Sequence, residues 1–237
     1  MARWTTEFDC GYETNWWYVI KDTPFDINAL KAKRRYEINK ANKNFQVREI
    51  KPSEYSERMF MIATAAYETY PLSYRPRITH ESFIEEIINR DSIYITYGAF
   101  SNVDGQLYGY ACLRKANGYI DFTELKVVPD MERLAINAAI VNNILNDYSE
   151  FIFGGGYICD GSRSINHETA FQDYLEKYFG FRKAYCKLHI VYNPNVKWII
   201  MLMYPIRNFL LKLNGIGIIH QLNSVLRMEE IARKNNE

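Results

Sequence analysis

The chain is predicted to be a mixed α/β (α+β) fold, a mostly antiparallel central sheet flanked by helices with a C-terminal helical extension. Three observations predict it. Between residues 93 and 128, three apolar and aromatic runs are separated by Asn102-Val103-Asp104-Gly105 and by Asn117-Gly118, which is the turn chemistry of hairpins. On either side of this meander, apolar residues recur at helical rather than strand spacing. Beyond residue 193 the pattern is helical, first apolar and then charged.

Composition divides the chain into three zones. Residues 1–44 begin aromatic, end basic and read as a segment packed on the core. Residues 45–192 read as one continuous α/β domain, and residues 193–237 as a helical extension. FQVREI (45–50) alternates as a short strand. Pro52 and Ser53 open a helix on which Tyr55, Met59, Ile62, Ala66 and Tyr70 share a face, and Pro71 and Pro76 end it. Thr79 caps a second helix with Phe83, Ile84, Ile87 and Ile88 on one side. IYITYGAF (93–100), LYGYACLR (107–114) and residues 119–128 are the strands of the meander. Pro129 stops the last of them. Asp130 is the expected cap of the next helix, whose apolar face is Leu134, Ala138, Val141, Ile144, Leu145 and Tyr148. FIFGGGYI (151–158) reads as a strand, its glycines marking a bulge, a close backbone approach or a simple break. Asn166 is expected to cap a last helix carrying Ala170, Phe171, Tyr174, Leu175, Tyr178 and Phe179. Gly180 stops that helix, and AYCKLHIVY (184–192) closes the sheet.

The 237 residues are 48% hydrophobic, enough for a full core and against disorder. Lys and Arg number 29 against 28 Asp and Glu, which removes any global electrostatic argument for nucleic acid. Cys10, Cys112, Cys159 and Cys186 form no close pair, so no metal is expected; Cys112, Cys159 and Cys186 sit in apolar or strand-like stretches and read as buried reduced thiols. The N-terminal MARWTTEFDCGYETNWW lacks the apolar core of a signal peptide, which makes the cytoplasm the expected location.

The order β-α-α-β-β-β-α-β-α-β, with Val127-x-Pro129 before a helix and Gly180-Phe181 after the last one, resembles the GNAT superfamily of acyl-CoA N-acyltransferases. The resemblance covers about residues 45–192. The run DINALKAKRRYEINKANKNFQVREI resembles a stretch of the Fem-type aminoacyl transferases and their relatives, which share the GNAT-like fold. The resemblance implies an N-acyltransferase that moves an acyl group, acetyl foremost, from acyl-CoA to an amine of a small molecule, sugar or amino acid. Two alternatives stay open: a Fem-type enzyme with aminoacyl-tRNA as donor, and a GNAT-shaped binding protein without catalysis.

In that family an Arg/Gln-x-x-Gly-x-Gly/Ala segment opens the helix after the fourth strand, and its backbone N–H groups hold the donor pyrophosphate. Counted from Pro129, the equivalent here is Glu132-Arg133-Leu134-Ala135-Ile136-Asn137. This chain departs from the pattern. Glu132 stands at the Arg/Gln position, and Ala135 and Asn137 replace the glycines. Arg133 offers a positive charge from the neighbouring position, and the Asn137 amide can donate a hydrogen bond. The resemblance further implies that backbone groups of Lys126, Val127 and Val128 face the pantetheine arm, and that Asn166 belongs to the cofactor-binding set. Glu124 is the implied base for the acceptor ammonium, and Tyr174, preferred over Tyr178, the implied acid for the leaving thiolate. Asp160, Ser162, Arg163 and His167 gather where acceptor contacts occur in such folds. Ser162, His167 and Asp160 also contain the elements of a triad, but without a G-x-S-x-G elbow.

Lys31, Lys33, Arg34, Arg35, Lys40 and Lys43 form a local basic run. It reads either as a solvated helix face or as a phosphate site for a cofactor, a nucleotide-linked substrate or tRNA. WIIMLMYPIRNFLLKL (198–213) is too short and too interrupted, by Pro205 and Arg207, to span a bilayer. It is expected to pack on the domain or form a homodimer through the C-terminal helices, with contact to a membrane surface as the alternative.

Overall fold

The computed structural model describes residues 1–72, 75–165, 171–213 and 217–234. It begins with β1 (Ala2–Thr6) and β2 (Trp16–Lys21), continues through a 3-10 turn at Ile27–Ala29 to α1 (Ala32–Asn44), and enters the middle zone at β3 (Phe45–Ile50). Then come α2 (Pro52–Glu68), α3 (His80–Arg90), β4 (Ile95–Ser101), β5 (Leu107–Lys115) and β6 (Tyr119–Val127). A 3-10 segment, Pro129–Leu134, leads into α4 (Ile136–Asp147), α5 (Ser149–Phe153) and β7 (Tyr157–Ser162). α6 (Phe171–Phe179) and β8 (Arg182–Val191) follow, then α7 (Pro194–Met203), a 3-10 turn at Tyr204–Ile206, α8 (Arg207–Leu211) and α9 (Gly217–Lys234).

The alternation of strands and helices from residue 45 onward is the expected one, and three readings are corrected. FIFGGGYI is not one strand. Its first residues form α5, closed by the Gly154 amide on the Glu150 carbonyl and the Gly156 amide on the Phe151 carbonyl, and β7 starts only at Tyr157. A short apolar run does not distinguish a strand from a buried helical turn, and Ile152 of α5 is buried. Asp130 caps nothing: Pro129–Leu134 coils as a 3-10 segment, and α4 begins a turn later behind Ala135. The N-terminal zone holds β1 and β2, which the sequence reading lacks. WWYVI is apolar without alternation because β2 is largely covered on both sides, and ARWTT is an exposed edge strand with no apolar face. The expected cap at Asn166 lies outside the described residues, as does His167.

The chain divides into two compact units. One comprises Met1–Ile20, Gly161–Lys177 and Phe181–Glu237, the other Lys21–Asp160 and Tyr178–Gly180. In the second unit β3, β4, β5 and β6 form an antiparallel ladder, and β7 joins β6 in parallel. One face of this sheet is covered by α2 and α3, where Met59, Ile62, Phe83 and Ile87 pack on Phe100, Leu107, Tyr110 and Cys112. α4 packs on β3, β4 and β5 with its buried residues Ala138, Ile140, Val141, Ile144 and Leu145, and α1 packs on α4. Gly109 makes this docking possible, since a Cβ there would stand 2.8 Å from Val127 Cγ1 and 3.0 Å from Ile136 Cδ1. Gly180 ends α6 with φ 68°, and its carbonyl accepts from the buried Lys21 ammonium at 3.4 Å.

In the first unit β8 is flanked by β1 and β2, both antiparallel to it. α9 closes the core over these strands: Met228 and Ile231 meet Trp16, Cys186 and Leu188. Cys112, Cys159 and Cys186 are buried, as expected, and Cys10 is half-buried.

Candidate active site

The second unit contains a strand that parts from its neighbour. β6 pairs with β7 only through Tyr119, Ile120 and Asp121, opposite Tyr157, Ile158 and Cys159. Just beyond, the β5–β6 register shifts between Cys112 and Leu113, leaving Thr123 as the extra residue. Its hydroxyl donates to the Cys112 carbonyl at 2.8 Å. A bulge of this kind bends a strand and re-aims the side chains that follow it.

Past the bulge, hydrogen-bond alternation decides which backbone groups are open. The Val128 amide donates to the Tyr108 carbonyl at 2.8 Å. In an antiparallel pair bonded and non-bonded positions alternate, so Lys126 is bonded to Tyr110, while Leu125 and Val127 turn their N–H and C=O groups away from β5. They turn toward the side where β7 pairing has already ended. Of the expected backbone donors Lys126, Val127 and Val128, only Val127 therefore faces the open side, and Leu125 joins it.

The helix that follows supplies further open amides. Ala135 sits in the left-handed region at φ 64° and ψ 35°, with its own amide on the Glu132 carbonyl. The first bonds of α4 run from the Ala138 and Ala139 amides to the Ala135 carbonyl. The amides of Ile136 and Asn137 are left without an acceptor among the described residues, and no side chain caps the helix. The Asn137 side-chain oxygen is buried and unpartnered as well. Arg133 and Glu132 are exposed. From α1, the Lys40 ammonium donates to the Arg133 carbonyl at 3.0 Å. Arg34 pairs with Glu37 at 2.6 Å and lies 3.3 Å over the Tyr178 ring, and Arg35 donates to the Leu30 carbonyl at 2.6 Å. Lys31, Lys33 and Lys43 are exposed.

Glu124 and Lys126 point from β6 to the face covered by α2 and α3. The Glu124 carboxylate is gripped by the Arg90 guanidinium, which also holds Glu86 at 2.7 Å. The Tyr110 hydroxyl approaches the same carboxylate at 3.4 Å. Burial pulls the Arg90 pKa down, but Glu124 and then Glu86 more than reverse this, and the net direction is up. Burial, seconded by the Glu124 charge, pushes the Tyr67 phenol up to about 12 and the Cys112 thiol up to about 11. These groups keep their protons at neutral pH, so Cys112 is no nucleophile there. The Lys126 ammonium lies 4.6 Å over the Tyr67 ring and 5.6 Å from that of Tyr70. The sequence singled out Glu124 and gave no site role to Arg90, Tyr67 or Tyr70. Only the Glu86–Arg90 spacing of four residues was legible as a local pair.

In the other unit, Tyr174 stacks on Phe171 with ring centroids 6.1 Å apart. The Ser162 carbonyl accepts from Gln172 at 3.2 Å. Arg163 lies 4.4 Å over the Trp17 ring and donates to the Asn15 carbonyl at 2.8 Å.

No protein-family model matches this chain, and no curated protein does. Solved structures do match. The chain is similar to FemX with a TM-score of 0.53 at 10% identity, over 71% of this chain and 59% of that one. It is similar to L-PGS from Bacillus licheniformis with a TM-score of 0.50 at 11% identity, over 85% of this chain and 65% of that one. It thus spans less than two thirds of either structure. The likeness shows a GNAT-like α/β fold shared with these structures.

Proposed function

We propose that the chain is an N-acyltransferase that takes its acyl group from acyl-CoA and delivers it to an amine. One observation carries this reading: where β6 parts from β7, the open backbone of Leu125 and Val127 is followed, after the 3-10 segment Pro129–Leu134, by the open amides that start α4. Such a junction suits a donor that is extended and amide-bearing at one end and anionic at the other. The pyrophosphate would take the Ile136 and Asn137 amides at the positive end of α4, with Arg133 adding charge. The unpartnered Asn137 side chain fits this use, because rotating its amide presents an N–H donor instead of the oxygen. Glu132 is exposed and can leave its charge in water. Acyl-CoA would supply the activated thioester. Glu124 is the proposed base, once Arg90 releases its carboxylate, and Tyr174 remains the proposed acid.

Calorimetry and thermal melts with acetyl-CoA, longer acyl-CoAs and free CoA test the reading. Saturating ligand should stabilise the fold, by about 2.7 kcal/mol at a hundredfold excess over Kd. Arg133→Glu should weaken binding about tenfold with an unchanged melt of the free protein. Glu124→Gln and Tyr174→Phe should each lower turnover by about a hundredfold or more while CoA still binds. A calorimetric blank with every CoA species ends the proposal.

Two observations support the other readings. The exposed lysines of α1, with Lys40 already at the Arg133 carbonyl, favour a larger polyanion such as aminoacyl-tRNA; tRNA binding that collapses between 50 and 200 mM salt, together with a CoA blank, selects it. The Arg90 grip on Glu124 favours a protein that binds without turning over. CoA binding with no acyl transfer to any amine in a broad panel selects that one.

A further inference from the structure

α7 and α8 carry apolar residues on two faces, and only one of them is covered. Ile200 and Leu210 are buried against Leu226 of α9, and the buried Asn223 amide ties α9 to the Leu210 carbonyl at 3.0 Å. The other face is open. Trp198 is 71% exposed, Leu202 70% and Phe209 62%, with Ile199, Ile206 and Leu213 between and beyond them. Trp198 and Leu202 are one turn apart on α7, and Ile206 and Phe209 follow on the 3-10 turn and α8; with Met201 and Leu211 also exposed, the open apolar side chains are concentrated on this one stretch. Isolated exposed apolar side chains are normal, but a contiguous stripe of large ones marks a surface that is covered in use.

Charge identifies the cover. From Asn193 to Leu213 the chain has no Asp or Glu, while Lys197, Arg207 and Lys212 are all present. Arg207 turns inward to Glu230 at 3.8 Å, leaving Lys197 and Lys212 exposed near the two ends of the stripe. A second copy docking through this face would set lysine against lysine with no acid to answer, which is a repulsive arrangement. An apolar stripe with a tryptophan, flanked by lysines and free of acids, is the pattern of a helix lying in the interface of an anionic bilayer. Among the described residues no helix is long and apolar enough to cross a membrane, so the geometry is one of lying on the surface.

We propose that the α7–α8 face docks on an anionic lipid surface, with Trp198, Leu202 and Phe209 entering the headgroup–acyl boundary. This stands independently of the reaction proposed above. The test is flotation of the full chain with vesicles of phosphatidylcholine alone and with about 30 mol% phosphatidylglycerol. Binding is expected with the anionic vesicles, reduced by salt. Trp198→Ser/Phe209→Ser should reduce it at least tenfold, and each of Lys197→Gln and Lys212→Gln by about fivefold. All four side chains are solvent-facing, so circular dichroism melts should match the unsubstituted chain. If a variant nevertheless unfolds, hydrogen exchange on the unsubstituted chain decides, with amides of 198–213 slowed by anionic vesicles and unchanged by neutral ones. No vesicle binding at low salt, equal binding to both vesicle types, or a concentration-dependent dimer dissolved by Trp198→Ser/Phe209→Ser without lipid binding would each overturn the proposal.

Discussion

Ala135 shows how a single residue records the demand of a junction. A left-handed backbone brings Cβ against the following carbonyl oxygen and costs an ordinary residue about 1–2 kcal/mol, yet the turn between the 3-10 segment and α4 takes it. Ala135→Gly should therefore leave stability unchanged or raise it by up to about 1 kcal/mol, the relief being offset by the freer unfolded chain. Ala135→Val, β-branched at positive φ, should lose about 1–2 kcal/mol. Calorimetric melting of the two variants checks this, and a valine variant as stable as the parent contradicts the left-handed turn. Sequence alone could not reveal this conformation, because alanine there reads as a plain helix former. Glu124 was legible because it lies on a strand whose end is marked by Pro129. Its partner Arg90 was not, since a part-buried ion pair joining residues 34 apart leaves no local period.

Among the elements, those with their own start and stop chemistry were legible, and those defined by burial were not. Thr79 was read as a cap, and its side chain does accept from the Ser82 amide at the start of α3. Thr79→Ala should cost about 1 kcal/mol, measured by urea denaturation with an unchanged slope; a change within error would mean that the exposed Ser82 hydroxyl, 2.7 Å from Thr79, already does the work. The meander was legible for the same reason, its turns being written as Asn-Val-Asp-Gly and Asn-Gly. β2 and α5 were not, because a strand or turn covered on both sides shows continuous apolar residues and no period. The bulge at Thr123, which sets up the open strand, left no mark of its own in the sequence.

At the scale of the molecule, the two units share a chain that passes between them repeatedly, so neither corresponds to one contiguous segment. Each unit also holds a buried thiol, Cys112 in one and Cys186 in the other, and burial pushes both up to about 11. A thiol with a raised folded pKa binds its proton more tightly folded than unfolded. The stability it contributes is complete below the free-thiol range of about 8.5 and is lost as pH climbs toward the folded value. Melting temperature should therefore fall steadily between pH 8.5 and 11, and a flat profile over that range would show the thiols to be uninvolved. Neither the division into units nor this alkaline limit was visible in the composition, which gives only four dispersed cysteines.

Trp16, only 1% exposed beneath Met228 and Ile231 of α9, carries an indole N–H with no partner among the described residues. A chain in which the remaining tryptophans are phenylalanine would emit from that site alone, at the blue end of the indole range. Any lifting of α9 would wet the ring and move its emission to the red, giving an optical gauge of how firmly the last helix is seated.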